Sequence, residues 1–553
     1  MRFLWLDINS SFSHSSLAIP SLDAQLESSL RDKADWKIIS GSLSTDSSAI
    51  ISQICLEQPD ILFSTIWLFN SFYILSVIKK VKALLPNLRI VLGGPEFLGD
   101  NQVFLSINKE VDAVIRGEGE DIYPTLVDNL IKNETISRLP GVCTFSDGSY
   151  CDNEKAIVSN FSALKIPESS SFFSYNKPFV QIETSRGCFN LCRFCVSGSK
   201  EIVSYAGYDT IKDRLTNFKN KGVKNIRILD RTFNANTKHA INLLRIMKEF
   251  SGELKFHIEI HPAYLSEQLK SELSDIPPNL IHSEAGIQSL DPKVLKIANR
   301  KGSPKLSIQG LIFLRSLKSI EIHADLIAGL PGYSLKKLFE DYSDLIKIGV
   351  DEIQVELLKV LPGTEFRNNS TLFNLKYSPI PPYEVLETEL FSFEDIITAT
   401  KLSRISDLWY NDIRWRGVLQ EIINEENGFL VEFVDYTSDL NLKFSNPEKC
   451  GLILYNFCDT RYSKYTSIVS NAWILAGYSI NKEPGKMVKQ WTHSSEIPYS
   501  PLKEVDFFKE SYYYLESSLY YYFYSFSKKS KSLIAYTSIS KVTNNVTESK
   551  EFI

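Results

Sequence analysis

The chain runs to 553 residues, too many to share one hydrophobic core, so three or four domains are expected. Its 43% apolar and 23% charged composition is that of a soluble globular protein, and the net charge of −5 leaves no basic footprint for nucleic acid. Eight cysteines spread over this length make no disulfide framework.

The opening MRFLWLDINSSF has one basic residue and a short apolar run ending in an acid. It lacks the length and cleavage site of a signal peptide, which points to the cytoplasm. Residues 3–8 read as a first strand, 17–30 as a helix and 36–40 as a second strand. Residues 61–78 carry no charge and reach the lower edge of a membrane span. Ser64, Thr65, Asn70, Ser71 and Ser76 interrupt that run, and its period changes halfway. Residues 61–65 suit a buried parallel strand, whereas Ile74, Val77, Ile78, Val81, Leu84 and Leu85 fall at helical spacing until Pro86. No membrane span is therefore expected. Strands at 89–92 and 113–115 and a helix at 123–131 complete an alternation that predicts, for residues 1–135, an open parallel sheet covered by helices on both faces. Such sheets take ligands beyond the carboxyl ends of their strands. Two exits are rich in glycine, Gly93-Gly94-Pro95-Glu96 and Arg116-Gly117-Glu118-Gly119-Glu120; plain structural turns explain them as readily as a ligand does.

Residues 136–175 read as a connector, with Asp147-Gly148 turning a hairpin between the apolar runs 141–145 and 156–158. Cys143 and Cys151 flank that turn and suit buried or unpaired thiols better than a shared metal. The stretch QIETSRGCFNLCRFCVSGSK follows, with Cys188, Cys192 and Cys195 spaced Cys-x3-Cys-x2-Cys. Iron–sulfur cubanes normally take four thiolates, so three close ones suggest a cluster with one iron open for chemistry. A zinc site or ordinary buried thiols are the alternatives; zinc sites usually pair Cys-x2-Cys with a second pair or with histidine, and none is at hand. Repeated βα units occupy residues 176–370, with strands at 180–183, 225–229, 255–260, 281–287, 320–328 and 352–360 and helices such as 237–250 and 334–348, each opening at a capping Thr or Ser. Six units predict a partial parallel barrel, whose reactive groups belong at the strand exits.

The short strand before Arg186-Gly187-Cys188, with the aromatic Phe194 just before Cys195, resembles the signature of the radical S-adenosylmethionine (SAM) superfamily. That resemblance implies a 4Fe-4S cluster on Cys188, Cys192 and Cys195 whose open iron chelates SAM, reductive cleavage giving methionine and a 5′-deoxyadenosyl radical. It also implies SAM contacts: Asp230 for the amino group, Gln288 for the ribose, and Asp325 and Gly329 of DLIAGLPG for the adenine and ribose, with backbone of residues 359–364 along the adenine edge. A helix cap is the alternative reading of Asp230. Glu284 points the same way as Gln288 and could face the substrate. His257, His261, His282 and His323 lie on or beside barrel strands and receive no role, since strand histidines as often satisfy a polar core.

LGGPE followed by VDAVIRGEGE resembles the cobalamin-binding domain that precedes the barrel in one branch of the same superfamily. It implies that Ser64, Thr65, Trp67, Gly93, Gly94 and Glu118 face cobalamin. The Asp-x-His-x-x-Gly motif of other cobalamin proteins is absent, and His14 reads as a helix-entry histidine; the lower cobalt face is left to a non-histidine group near residues 67–70 or to water. Pro379, Pro381 and Pro382 break the pattern before a C-terminal region, 371–553, opening with a helix at 391–408. Its runs Tyr512-Tyr513-Tyr514 and 520–524, beside Lys528, Lys529 and Lys531, suit either base stacking or packed faces, and the acidic chain favours packing. The region resembles an uncharacterised C-terminal domain carried by one group of cobalamin-type radical SAM proteins.

The fold expected is thus α/β: a Rossmann-like cobalamin-binding domain, a partial (β/α)6 TIM-like radical SAM barrel and an α+β C-terminal region. The function implied is cobalamin-dependent methylation of an unactivated carbon, with a reductant protein such as flavodoxin or ferredoxin as partner. Two alternatives stay open: a radical SAM enzyme that does not methylate, and a cobalamin or metal-binding sensor without turnover.

Overall fold

Alternation decides the first sheet. In the strand Arg2–Asn9 (β1), Phe3 and Trp5 face one side and Leu4 and Leu6 the other, and all four are buried. The computed structural model describes the chain except residues 15, 147, 200–201, 444, 493–508, 544 and 553, and except the side chains of 146, 198 and 199. It divides into two compact units, Met1–Leu335 with Leu357–Ile396, and Lys336–Glu356 with Ile397–Ile553.

In the first unit, β1 pairs in parallel with Asp35–Ser42 (β2) and Ile61–Thr65 (β3), followed by Arg89–Gly93 (β4) and Ala113–Ile115 (β5). The order β2-β1-β3-β4-β5 places a topological switch point between β1 and β3, where doubly wound sheets bind ligands. One apolar layer gathers Leu4, Leu6 and Leu62 under the helices Ser47–Glu57 and Ser71–Leu84; the other gathers Phe3, Trp5 and Phe63 under Tyr123–Lys132. The helix expected at 17–30 is broken into Ala18–Ala24 and Ser28–Arg31, because Glu27 is extended. The helix Ser47–Glu57 was not expected; only Ile50 and Ile54 of it are buried, too few to print a period, and Asp46 caps it through the Ser48 amide. His14 stands in the loop before Ala18, its Nδ1 2.9 Å from the Ser11 hydroxyl.

The hairpin in the connector forms, but its return strand is Ser149–Asp152 (β7) rather than 156–158. Its outgoing strand Val142–Ser146 (β6) pairs antiparallel with β5, so the connector extends the first sheet. Asp147 lies outside the described residues. Cys143 and Cys151 do not face each other, since Cys143 pairs with Asp152 and Cys151 with Thr144.

The barrel strands of this unit are Val180–Ile182 (β8), Asn225–Ile228 (β11), Lys255–Ile260 (β12), Ile281–Gln288 (β13) and Ile320–Ala328 (β14), parallel and adjacent in that order. Between β8 and β11, Ser185–Arg186 (β9) and Ser204–Tyr205 (β10) pair antiparallel and frame the cysteine loop. The helix expected at 237–250 is capped by Asn236, not by Thr237.

The second unit contains the helix Leu335–Ile348 and the sixth expected strand, Glu352–Leu357 (β15), to within one residue at each unit boundary. Its helices Ile413–Glu425, Pro447–Arg461 and Thr466–Leu475 bury Trp409, Trp415 and Trp473 completely. A five-stranded antiparallel sheet follows, beginning at Lys489–Trp491 and ending at Val546–Glu551. The tyrosine runs are strands of that sheet; Tyr522, Tyr524 and Tyr536 are buried, and Tyr524 donates to Asn471 of the last helix at 2.7 Å. Among the described residues, no helix is long and apolar enough to cross a membrane.

Candidate active site

The carboxyl ends of β1, β3, β4 and β5 face the carboxyl ends of β8 and β11 across a cavity of about 600 Å³. From the first sheet it is lined by Ser64, Thr65, Trp67, Gly93, Gly94 and Glu118, and from the barrel by Gln181, Glu183, Arg186, Gly187 and Arg231. The floor, between Trp5, Phe63, Val91 and Leu126, is apolar. A glycine-edged apolar slot suits a broad, flat ligand, because backbone can approach it closely.

The turn after β3 is rigid. Asn70 is 1% exposed, its amide donating to Ile8 and Thr65 carbonyls while its Oδ1 accepts from the Trp67 amide at 2.8 Å. Those bonds commit Asn70 to the backbone, so of the stretch 67–70 it is Trp67, 36% exposed, and Phe69, stacked on it, that reach the cavity. The Ser64 hydroxyl is also spent, donating to Leu6 at 2.7 Å. Gly94, at φ +110°, is required: a Cβ there would stand 2.5 Å from the Ile66 carbonyl oxygen.

Cys188 and Cys192 are buried and Cys195 is half-buried. Burial pushes the Cys192 thiol up to about 11, against the pull of Arg300, with the charges of Cys195 and Cys188 adding to the rise. Gly187 (φ +110°) sits with its missing Cβ 2.5 Å from the Ile202 carbonyl oxygen, and Leu191 is also left-handed at φ +52°. Side chains far away in sequence hold the loop. Asn190 accepts from the Lys301 amide at 2.9 Å, Arg193 pairs with Glu365 at 2.7 Å and donates to Ile297, and Arg300 reaches Cys192 Sγ at 3.8 Å and the Gly286 carbonyl. Arg193 and Arg300 had no signal in spacing or period.

Asp230 is engaged by the neighbouring strand exit. It is 1% exposed, and its carboxylate accepts from the Thr184 and Ser185 amides at 2.7 and 2.9 Å and from the Thr184 hydroxyl. Burial raises its pKa, and those bonds oppose the rise. It braces the turn that leads to Cys188 and does not cap a helix. Thr232, two residues on, brings its hydroxyl to 3.6 Å from Cys188 Sγ.

Gln288 ends β13 in a left-handed conformation, φ +68°, beside a register shift at Gly286. A non-glycine residue held there marks a backbone over-determined by its surroundings, as at functional sites. Gly329 (φ +79°) turns its missing Cβ onto Val385, 2.5 Å away, so packing as well as any ligand demands glycine there. The 359–364 exit is similarly crowded, with a Gly363 Cβ 2.7 Å from the Leu98 carbonyl oxygen.

Inside the barrel, Glu259, Glu284 and His323 are register partners across β12, β13 and β14. His257 Nε2 lies 3.1 Å from Glu284 and holds that carboxyl low, whereas burial raises Asp325, whose Oδ1 lies 3.1 Å from His323. Burial pushes Glu259 up to about 7, against the attraction of Arg231. His261 and His239 are driven down to about 3 and about 4 by burial, as neutral, hydrogen-bonded core histidines are.

Comparison with known proteins gives three matches along the chain. The B12 binding domain matches residues 12–127, the radical SAM superfamily residues 182–345, and a protein of unknown function (DUF4080) residues 371–551. An uncharacterized methyltransferase of Pyrococcus horikoshii, PH0819, is 25% identical over 429 residues, 74% of this chain and 91% of the relative. The cobalamin-dependent radical SAM methyltransferase TokK of Streptomyces tokunonensis is 21% identical over 395 residues, 67% of this chain and 57% of its own length. Among solved structures, the cobalamin-dependent SAM radical enzyme OxsB with aqua-cobalamin and SAM bound shares the fold, with a TM-score of 0.58 at 15% identity over 86% of this chain and 79% of that one.

Proposed function

This chain is a radical SAM protein with a B12-binding domain in front of its barrel, and we propose that it methylates an unactivated carbon of its substrate. The observation that carries the reading is a cavity that joins both sets of strand ends, the Gly93–Gly94 and Glu118 exits on one wall and the Arg186–Gly187 approach to Cys188 on the other. The donor set fits the cofactors. Cys188, Cys192 and Cys195 are free cysteines of one short loop, and three thiolates suit a 4Fe-4S cluster with one open iron. When bound, the cluster and SAM supply radical chemistry and cobalamin carries the methyl group.

The chain's own part is to hold and orient. Cys188, Cys192 and Cys195 ligate the cluster, and Asp230 sets the turn before Cys188, so its influence on SAM is exerted through Thr184 and Ser185. Gln288, Asp325 and the backbone at Gly329 face SAM from the exits of β13 and β14. Ser64, Thr65, Trp67, Gly93, Gly94 and Glu118 form the cobalamin bed, the first through its backbone because its hydroxyl is engaged. The lower cobalt face would be left to a non-histidine group near residues 67–70 or to water. A cytoplasmic setting with flavodoxin or ferredoxin as electron donor follows from the need for reduced thiolates and an external electron.

Anaerobic reconstitution tests the reading. The wild type should hold about one cubane and one cobalamin and cleave SAM to 5′-deoxyadenosine, whereas Cys192→Ala should lose the iron–sulfur absorbance and cleavage but keep cobalamin. A protein that takes up no iron sinks it. Deuterium passing from substrate into 5′-deoxyadenosine without a methylated product would overturn the methyl-transfer half alone.

A further inference from the structure

Arg186 carries more charge contacts than its place in the cysteine loop requires. Its guanidinium, 15% exposed, lies 2.5 Å from Glu183, 2.9 Å from Glu120 and 3.8 Å from Glu118, with the ring of Phe161 4.9 Å away. Glu183 is at the exit of the first barrel strand, whereas Glu118 and Glu120 belong to the glycine-rich loop after β5 in the other domain. Arginine suits this position because its planar fork serves several carboxylates at once, and removing it would take a shared counter-charge from three neighbouring acids.

Neither side of this joint has slack. Towards the cysteines, Arg186 is paired in β9 with Ser204, and the next residue, Gly187, has its Cα face closed by the Ile202 backbone. Towards the first sheet, the Glu118 amide is bonded to the Ala156 carbonyl and its carboxylate accepts from the Val158 amide at 2.6 Å. Gly117, Glu118, Gly119 and Glu120 all line the cavity assigned to cobalamin. A ligand that presses on this loop therefore presses, through one guanidinium, on the segment two residues before Cys188.

We propose that Arg186 is a positioning residue that couples cobalamin occupancy of the cavity to the geometry and reduction potential of the cluster on Cys188, Cys192 and Cys195. The inference rests on the functional reading above and goes beyond it, because that reading needs both sites but no coupling between them. Coupling is reciprocal: whatever cobalamin does to the cluster's reduction, reduction does to cobalamin affinity by the same factor.

The test uses the full, reconstituted chain, hydroxocobalamin as the probe, and potentiometric titration with EPR of the reduced cluster. In the wild type, hydroxocobalamin should move the midpoint potential and alter the EPR line shape, and the affinities of the oxidised and reduced protein should differ severalfold. Arg186→Gln should keep its iron and lose both effects, and Arg186→Lys, with charge but no fork, should restore them only in part. Glu120→Gln, outside the cysteine loop, should reproduce the loss even if Arg186→Gln fails to hold iron. A cobalamin-induced shift of wild-type size in Arg186→Gln or Glu120→Gln overturns the coupling, and so does a wild type that binds both cofactors without any shift. A wild type that binds no cobalamin overturns the functional reading as well.

Discussion

Glu259 shows how a single buried side chain can set a pH dependence. Burial raises its carboxyl from 4.5 to about 7, while Arg231 works in the opposite direction. The folded chain therefore keeps a proton that the unfolded chain releases between these values, and stability falls as pH rises through that window. Below about 4.5 both states are protonated and the cost vanishes; above about 7 the cost is complete, on the order of 3 kcal/mol. Glu259→Gln keeps the shape without the charge, so its stability relative to wild type should rise by about 2 kcal/mol between pH 5 and pH 8. Denaturant unfolding of the two proteins at both pH values measures this, and parallel profiles would show that Arg231 already neutralises the carboxylate. At the same scale, the surroundings of Asp230 were legible only in part. Its position at a strand exit was legible, but the three donors that engage it were not, because only the folded register of β8 beside β11 brings them there.

At the scale of elements, the strands were legible because burial writes itself as alternation, and β12 and β14 have the bounds that alternation indicated. The loop between β8 and β11 was legible only as a string of cysteines. Its stitches, Asn190 to Lys301, Arg193 to Glu365 and Arg300 to Cys192, join residues more than a hundred positions apart, and no local period encodes such pairs. Gly187 is where this loop has least freedom. An alanine there would need φ +110° and would drive its Cβ to 2.5 Å from a carbonyl oxygen of Ile202, backbone that is fixed in turn beside β10. Strain of this kind costs several kcal/mol and is relieved by opening the loop. Gly187→Ala should therefore bind under half the wild-type iron after reconstitution, with little change in the far-ultraviolet circular dichroism. Full iron content, read by colorimetric iron and sulfide assays, would mean that the cysteines find their geometry without the loop.

At the scale of the molecule, chain order and compactness disagree. Sequence reading closes the barrel near residue 370, whereas the second unit reaches back to Lys336–Glu356. Within that unit, the Tyr410 hydroxyl donates to Val350 at 2.6 Å, the Ser406 hydroxyl to Ile353 at 2.5 Å, and the Asn411 side chain both accepts from and donates to Ile353. Gln420 adds a bond to Ile346 at 3.2 Å. A proline break and a change of composition cannot reveal this, since both mark where the chain turns rather than which segments share a core. Cutting after residue 370 strips the segment 336–356 of these partners and leaves Tyr342, now completely buried, without Tyr410, whose ring lies 6.4 Å away. Each buried polar group left unpaired costs about 1–3 kcal/mol, and several are created together, against a total stability of only about 5–15 kcal/mol. A chain of residues 1–370 should therefore be recovered mainly as aggregate, or melt well below the full chain, and extending it through residue 478 should restore most of the difference. Size-exclusion chromatography and thermal melts of the two truncations decide the matter. A monomeric 1–370 chain with the melting temperature of the full protein would show that the segment 336–356 finds its stability entirely within the barrel.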